Sequence, residues 1–340
     1  MKTINQHLVS TLLLPVLMTA AFTGRSAAQE PEPFVESPNA AGAVTIDVAA
    51  YANLCGEWTY RRTEDGVTET WTERVLGTAK RYGKPVYIRQ EFSEGDYPND
   101  QFFLSADLSK GLYEVGGLND FGKPAEKTFK WTPAFPLLMK TFVPGKEYVA
   151  EYRHSFFPGR VFKGKFKTEK DTVTVPYGKF DCYKVTLTAS DYIRTKWYAK
   201  HIGVVRQENG GTVEKLVSYV PAPWLVVEQP AKSPLFDGVS KKSFGTRTVG
   251  KPGLEKTFTM RNRGTEALTG PAISMSGSHA ADFIITPPAK SSLAPGKAIT
   301  FKVTFIPTAT GTRNAAVHIK SNDSNENPFD IKLTGLGAAP

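Results

Sequence analysis

The chain has 340 residues and a formal net charge of +9, with 40% hydrophobic and 22% charged residues. These proportions are typical of a folded globular protein and exclude a disordered or low-complexity chain. Lys and Arg residues are interleaved with acidic residues, as at 60–74, instead of forming one basic patch, so no nucleic-acid partner is expected.

Residues 1–28 have the pattern of a secretory signal peptide. Lys2 precedes an apolar stretch, and Ser26 and Ala28 are small residues at the positions that signal peptidase reads. No later segment reaches about 18 apolar residues, so no transmembrane segment is expected in the mature chain. We predict an exported protein, periplasmic or extracellular, that begins near Gln29. The alternative is a retained amphipathic or membrane-anchoring helix.

The first mature segment, 29–45, is rich in Pro, Glu, Ala and Gly and is predicted to be a flexible leader. Residues 46–55 are compatible with a short helix that ends near Gly56, because Gly is the usual residue just after a helix.

The region 46–220 is otherwise predicted to be antiparallel β-structure. Short runs alternate between apolar and polar residues and are separated by Gly, Pro, Asn and Asp. Tyr183, Val185 and Leu187, for example, alternate with polar neighbours. The length suits ten to twelve strands, which we expect to curl into a half-barrel or open barrel with a concave apolar face.

Aromatic residues of this region are candidates for a ligand site on the concave face. The four that we single out are Trp71, Tyr87, Trp131 and Trp197. Aromatic rings on a β-face can stack on sugar rings or line an apolar cradle, and they can equally fill the core of a large sheet.

The two cysteines of the chain, Cys55 and Cys182, both lie in this region. Export and an even count favour a disulfide between them. The alternative is two separate buried thiols that act as small apolar residues.

Residues 221–235 carry four prolines and are predicted to be a linker. The remaining residues, 236–340, hold about seven short strands at regular spacing. Phe301 and Phe305 alternate with polar residues, and Phe329 begins another alternating run, so all three are expected to be buried. The fold class is therefore predicted to be all-β: a meander followed by an immunoglobulin-like β-sandwich.

The last hundred residues also carry motifs of a known family. These are Phe244-Gly245, Asn262-Arg263-Gly264-Thr265, Ala267-Leu268, Asp282-Phe283, Leu293-Ala294-Pro295-Gly296, Phe301-Lys302-Val303-Thr304-Phe305, Pro307, Gly311, Ser321-Asn322-Asp323, Asn327-Pro328-Phe329 and Gly335. Their order resembles the abnormal-spindle/hydin (ASH) class of immunoglobulin-like modules, most of all the bacterial choice-of-anchor D repeats. The resemblance implies a structural, interaction-bearing module that contributes no catalytic residues.

The middle region is similar to periplasmic β-rich domains of unknown function. The sequences that carry this weaker resemblance are LCGEWTYR at 54–61, VTVPYGKFDCYKV at 173–185 and WYAKHIGVVRQE at 197–208.

Motifs for chemistry are scarce. The chain lacks a nucleophile elbow, an H-E-x-x-H zinc motif, a P-loop and a dinucleotide glycine motif, and its histidines are not paired at ligand spacing. The segment 321–328 concentrates oxygen side chains like a calcium loop but lacks the required Gly and final acidic residue, so we predict a turn. We expect no catalytic residue, metal or cofactor.

Three functional hypotheses follow. The first is an exported protein, not an enzyme, that binds or scaffolds a protein or another component of the cell envelope. The second is a carrier of an apolar or lipid-like ligand, which requires a large apolar concavity. The third is an enzyme acting on envelope polymers, which requires paired carboxylates about 5–10 Å apart.

Overall fold

The structure, a computed structural model, describes residues 37–340 except 94–96, 106–107, 120–125, 191 and 252. The predicted signal peptide and most of the leader lie outside the described residues. Within the described ranges, no helix has the length and apolar character needed to cross a membrane. Nearly all regular structure is β-strand, which confirms the predicted all-β fold.

The first part of the described chain is a closed antiparallel barrel of twelve strands. The elements of this part of the chain, of which β1, α1 and β8 lie outside the barrel sheet, are β1 (Val44–Thr45), α1 (Val48–Ala52), β2 (Glu57–Glu64), β3 (Val67–Arg81), β4 (Lys84–Ser93), β5 (Tyr97–Ser105), β6 (Gly111–Asn119), β7 (Lys127–Met139), β8 (Thr141–Phe142), β9 (Glu147–His154), β10 (Phe162–Val175), β11 (Gly178–Thr188), β12 (Ile193–Ala199), β13 (Gly203–Asn209) and β14 (Thr212–Val220).

The barrel is a meander that closes on itself. Its strands follow the order β10-β11-β12-β13-β14-β2-β3-β4-β5-β6-β7-β9, and β1 pairs with β8 outside it. Closure depends on the short pairing of Trp131 and Thr132 with His154 and Arg153. The expected half-barrel or open barrel is therefore closed, and closure removes the free edges that an open sheet would expose.

The second part of the described chain is a β-sandwich. Its elements are β15 (Leu225–Glu228), β16 (Lys241–Thr248), β17 (Leu254–Asn262), β18 (Leu268–Thr269), β19 (Ala272–Ser276), a 3-10 helix (Ala280–Asp282), β20 (Phe283–Thr286), β21 (Ser292–Leu293), β22 (Ala298–Phe305), β23 (Gly311–Lys320) and β24 (Phe329–Ala338). One sheet has the order β15-β17-β22-β20 and the other β16-β24-β23-β19. Phe301, Phe305 and Phe329 are buried between the sheets, as predicted.

The predicted linker contains a strand of the sandwich. Leu225–Glu228 pairs with the sequence 259–262 of β17. All four residues of β15 are buried, which explains an apolar run between prolines. The sandwich therefore begins ten residues or so earlier than the proline pattern indicates, and the connection from β14 is correspondingly short.

One end of the barrel, which we call the base, is covered by α1 and by the sandwich. Helix α1 contacts β12 and β13 on one wall and β6 and β7 on the other. Asn53, its left-handed C-cap, donates to the carbonyls of His201 and Ile202 and to the Tyr219 hydroxyl. The opposite end, the mouth, carries the turns at 65–66 and 210–211.

The expected disulfide is absent, because each cysteine has its own separate surroundings. Cys55 is buried at the base and donates to the Asn53 side chain and the Ala222 carbonyl, while Cys182 donates to the Phe180 carbonyl. Burial raises the pKa of both thiols to about 12, so neither is a thiolate at neutral pH.

We expect thiol titration of the exported protein, denatured without reductant, to find two free thiols per chain. Both thiols are buried and protonated, so they resist oxidation in the folded state. Finding no reactive thiol would contradict the separate-thiol arrangement.

Candidate functional site

The interior of the barrel changes character toward the mouth, where charged side chains replace apolar ones. We call this group the lumen cluster. Its members are Arg62, Glu73, Arg89, Glu91, Glu114, Arg194, Lys196 and Glu214. They come from six strands around the barrel, so only the closed fold brings them together.

Cross-strand register places these residues on the inner face. On β12, Arg194 and Lys196 stand opposite Leu187 and Val185 of β11, both buried in the core. Residues directly opposite in a ladder share a face of the sheet. The guanidinium of Arg194 also lies 4.7 Å from the ring of Phe135, a residue of β7 on another part of the barrel wall.

Two ion pairs organise one side of the cluster. Arg62 Nε donates to Glu214 Oε1 at 2.8 Å, and its guanidinium lies 4.7 Å from the centroid of the Trp71 ring. Arg89 pairs with Glu73, with 3.2 Å between Nη2 and Oε1. Buried charges are costly unless they are paired, so these contacts satisfy part of the cluster.

The remaining carboxylates are engaged by uncharged donors. The Gln207 amide donates to Glu214 Oε2 at 3.1 Å, and Trp131 Nε1 donates to Glu114 Oε1 at 2.7 Å. Glu91 stands directly across the ladder from Glu73. Burial and the adjacent Glu73 raise the pKa of Glu91 well above its usual range, which favours its protonated form.

Several donors in the same space have no acceptor. Among the described residues, Arg89 Nε and Trp71 Nε1 are buried without a hydrogen-bond partner. No carboxylate of the described residues lies within ion-pair distance of Arg194 or Lys196. Burial, with Arg194 and Arg89 nearby, lowers the pKa of Lys196 to about 7. The described part of the lumen cluster therefore contains donors that its own carboxyl groups leave without a partner.

Three of the four predicted aromatic residues lie inside the barrel. Trp71 stacks on Tyr60 at 5.2 Å, and Trp131 lies beside Phe135 with its Nε1 on Glu114. Tyr87 lies at the base, edge-on to Trp224 at 5.9 Å. Only Trp71 and Trp131 thus reach the lumen cluster.

Trp197 lies on the outer face, contrary to its expected place on the concave face. Its Nε1 donates to Asp171 at 2.8 Å, and the cations of Lys184 and Arg206 cover its ring. We predicted the inner face from apolar character, and on β12 that criterion selects the face that carries Trp197, which lies outside. The inner set, Arg194, Lys196 and Tyr198, is the charged one.

A second polar group lies at the base, where the segment 321–328 docks on the barrel. Asp323 is only 2% exposed, and it accepts the backbone N–H groups of Leu225 at 2.7 Å and Asn325 at 3.2 Å. Glu326 is 3% exposed, and its Oε1 has no partner among the described residues. The predicted polar turn is therefore a buried contact. No group of His, Cys, Asp or Glu in the described ranges is arranged to hold a metal ion.

These buried carboxyl groups make stability depend on pH. Burial, then Asp323 and Asp237, raises the pKa of Glu326 well above its usual range, and burial raises that of Asp323 to about 6. An acid with a raised pKa keeps its proton in the folded state, so its contribution is complete below the unfolded pKa, near 4.3 for Glu, and is lost as pH rises through the folded pKa.

We therefore expect Glu326→Gln to increase stability at pH 8 by roughly 1–3 kcal/mol, since Gln imitates the protonated acid and never needs to lose a proton. At pH 4.5 the two proteins should differ little. Urea unfolding at both pH values measures this, and equal pH slopes for the variant and the wild type would contradict it.

Comparisons with known proteins match two parts of the chain to families. Residues 160–221, which contain β10 to β14, match the family described as DUF3108-like. Residues 239–335 match the HYDIN/CFA65/VesB-like, Ig-like domain, which confirms the hydin-like immunoglobulin resemblance. The assignment to choice-of-anchor D repeats, and the similarity of the middle region to periplasmic domains, stay predictions. The search of curated proteins found no match.

Three solved structures are similar to this chain at low identity. A protein of unknown function from Porphyromonas gingivalis W83 is 12% identical, with 78% of this chain and 99% of that chain covered and a TM-score of 0.27. The VesB protease of Vibrio cholerae is 9% identical, with 87% and 99% covered and a TM-score of 0.28. The secreted serine protease VesC of Vibrio cholerae is 9% identical, with 88% and 72% covered and a TM-score of 0.26.

These matches correct one prediction. Two of the three structures are proteases, which contradicts the expectation that the chain is not an enzyme, and that expectation is withdrawn. TM-scores this low transfer no activity to this chain.

Proposed function

We propose that this exported protein binds a small, polar, charged ligand in the mouth of its barrel. The sandwich would then connect the barrel to a protein or another component of the cell envelope. The observation that carries the proposal is the pair of buried donors, Arg89 Nε and Trp71 Nε1, that have no partner among the described residues. Buried polar groups without partners cost about 1–3 kcal/mol each, and a ligand that supplies acceptors would remove that cost.

The filled interior argues against the hypothesis of an apolar carrier. Below the cluster the barrel is packed with side chains less than 3% exposed, among them Leu104, Leu112, Phe135, Leu187 and Leu216. The apolar cavity between β7 and β9, beside Pro136 and Phe166, has a volume of about 20 Å³. That volume suits one water molecule, whereas ligand sites usually need several hundred Å³.

Acid–base chemistry on the bound ligand is a second candidate function. Glu73 and Glu91 face each other across the ladder, and the first is ion-paired while the second has a raised pKa. Two carboxyl groups with different environments are the usual basis of an acid and base pair. If catalysis occurs, Glu91→Gln should keep ligand binding and abolish conversion of the bound compound, as followed by mass spectrometry. Unchanged conversion would exclude this role.

The binding proposal can be tested by thermal shift with a panel of ligands. The panel contains carboxylic acids, sugar phosphates, amino acids and dipeptides on the polar side, and fatty acids and phospholipids on the apolar side. We expect a polar compound to raise the melting temperature of the wild type, with no shift in Arg89→Gln. Arg61→Gln is the matched control, because Arg61 is exposed on the outer face of β2. A shift by apolar compounds alone, or one that persists in Arg89→Gln, would overturn the proposal.

A further inference from the structure

We propose that the ligand carries an anionic group, a carboxylate or a phosphate, which binds between Arg194, Lys196 and Arg89. This inference rests on the proposed function and specifies its ligand class.

The three cations converge on one space from two parts of the barrel wall. Arg194 and Lys196 are two residues apart on β12, so both point to the lumen. Arg89 comes from β4, where it stands opposite Val75 on the inner face. The charges of Arg194 and Arg89 both act on Lys196, so Lys196 lies within electrostatic reach of each of them.

The carboxylates of the described lumen cluster contact other donors, and none lies within ion-pair distance of Arg194 or Lys196. Glu214 accepts from Arg62 and Gln207, and Glu114 accepts from Trp131. Glu73 accepts from Arg89 through Nη2, which leaves Arg89 Nε unpartnered.

Trp71 Nε1 is a further donor without a partner among the described residues, and the raised pKa of Glu91 favours the form that can also donate. A cationic or purely donating ligand would leave these donors without a partner. An anion supplies several acceptor lone pairs at once, and charge-assisted hydrogen bonds from Arg and Lys are the strong ones. The cluster therefore fits an anion better than a cation or a neutral ligand.

The groups around Lys196 determine how the affinity for an anion changes with pH. Arg194 and Arg89 repel its charged form, while Glu73, Glu114 and Glu214 favour it. Anion binding requires the charged amine, so affinity should fall as pH rises from about 6 to about 9.

Calorimetric titration of the mature protein tests the inference. The probes are inorganic phosphate and succinate as anions, choline as a cation and glucose as a neutral compound, each at millimolar concentration. We expect at least one anion to bind, and Arg194→Gln and Lys196→Met to weaken it by about 10- to 100-fold. Lys200 is exposed and directly follows the same strand, so Lys200→Gln is the control variant and should bind the anion normally.

The other outcomes separate the two proposals. Binding of choline or glucose without either anion would overturn the anion inference and leave a binding barrel. Anion binding that is unaffected by both variants and constant with pH would place the anion elsewhere and also overturn it. If no probe binds and the thermal-shift panel is equally silent, both proposals fail.

Discussion

Replacing Phe305 with alanine should lower the free energy of unfolding by about 3–5 kcal/mol, the usual cost of removing a buried aromatic ring. Phe305 is fully buried, with its ring centroid 4.8 Å from that of Phe283. Gly335 lies directly against the ring, so the cavity left behind has a backbone wall that cannot easily collapse. A domain of this size has about 5–15 kcal/mol of stability, so the loss is a large fraction.

Ile284→Ala is the matched control for this experiment. Ile284 lies on β20 next to Phe283 and is 51% exposed, so its removal should change stability by less than about 1 kcal/mol. Urea unfolding followed by tryptophan fluorescence and circular dichroism measures both variants. Similar effects of the two substitutions would contradict the assignment of Phe305 to the core.

Gly77→Ala should break the contact between the barrel and the sandwich. Gly77 has φ of +110° in β3, and a Cβ there would overlap the backbone carbonyl of Asn325 in the docked segment. Neither backbone can give way cheaply, so the variant must separate the two surfaces. Separation would expose Asp323 and Glu326 and the base of the barrel to water. We expect faster proteolysis near residue 221 and a larger radius of gyration by small-angle scattering.

Gly66→Ala separates this clash from backbone strain. Gly66 also has a left-handed φ, +79°, but a Cβ there would meet no atom within 4 Å. Both variants therefore bear the strain of roughly 1 kcal/mol or more that a side chain adds at positive φ, and only Gly77→Ala loses the docking contact. Equal protease sensitivity of the two variants would show that the contact at Gly77 does not hold the sandwich in place.

The sandwich could be predicted well because its signals are local. Strict alternation around Phe301, Phe305 and Phe329, with turns between, gives strand positions and the buried face without knowledge of distant contacts. The linker prediction was wrong for the opposite reason: Leu225–Glu228 forms a strand only because it pairs with the edge of β17. Pairing with a remote strand overrides a local proline pattern.

The lumen cluster could not be predicted from the same rules. On β12 the apolar rule assigns Trp197 to the inside, and the structure places Arg194 and Lys196 there instead. A signal existed in the alternation itself, since Arg194, Lys196 and Tyr198 share a face with the same period. Which face points inward is decided by pairing with β11 and by closure of the whole barrel, and neither is local.

The docked segment shows a similar limit. The run 321–328 has the composition of a solvated turn, and Asp323 does accept backbone N–H groups as a turn residue does. The run is buried because the sandwich folds back on the base of the barrel. Asp323 there accepts from Leu225, a residue about a hundred positions earlier in the sequence. No pattern within the run distinguishes an exposed turn from a docked one.

The central claim, that the mouth of the barrel holds a ligand with an anionic group, is tested most directly by a crystal structure of the exported protein purified without denaturation. We predict electron density for a non-protein group within hydrogen-bond distance of Arg89 Nε, with contacts to Arg194 and Lys196. A lumen without such a group, in which Arg89 Nε, Arg194 and Lys196 are paired with the protein's own acceptors, would contradict the claim.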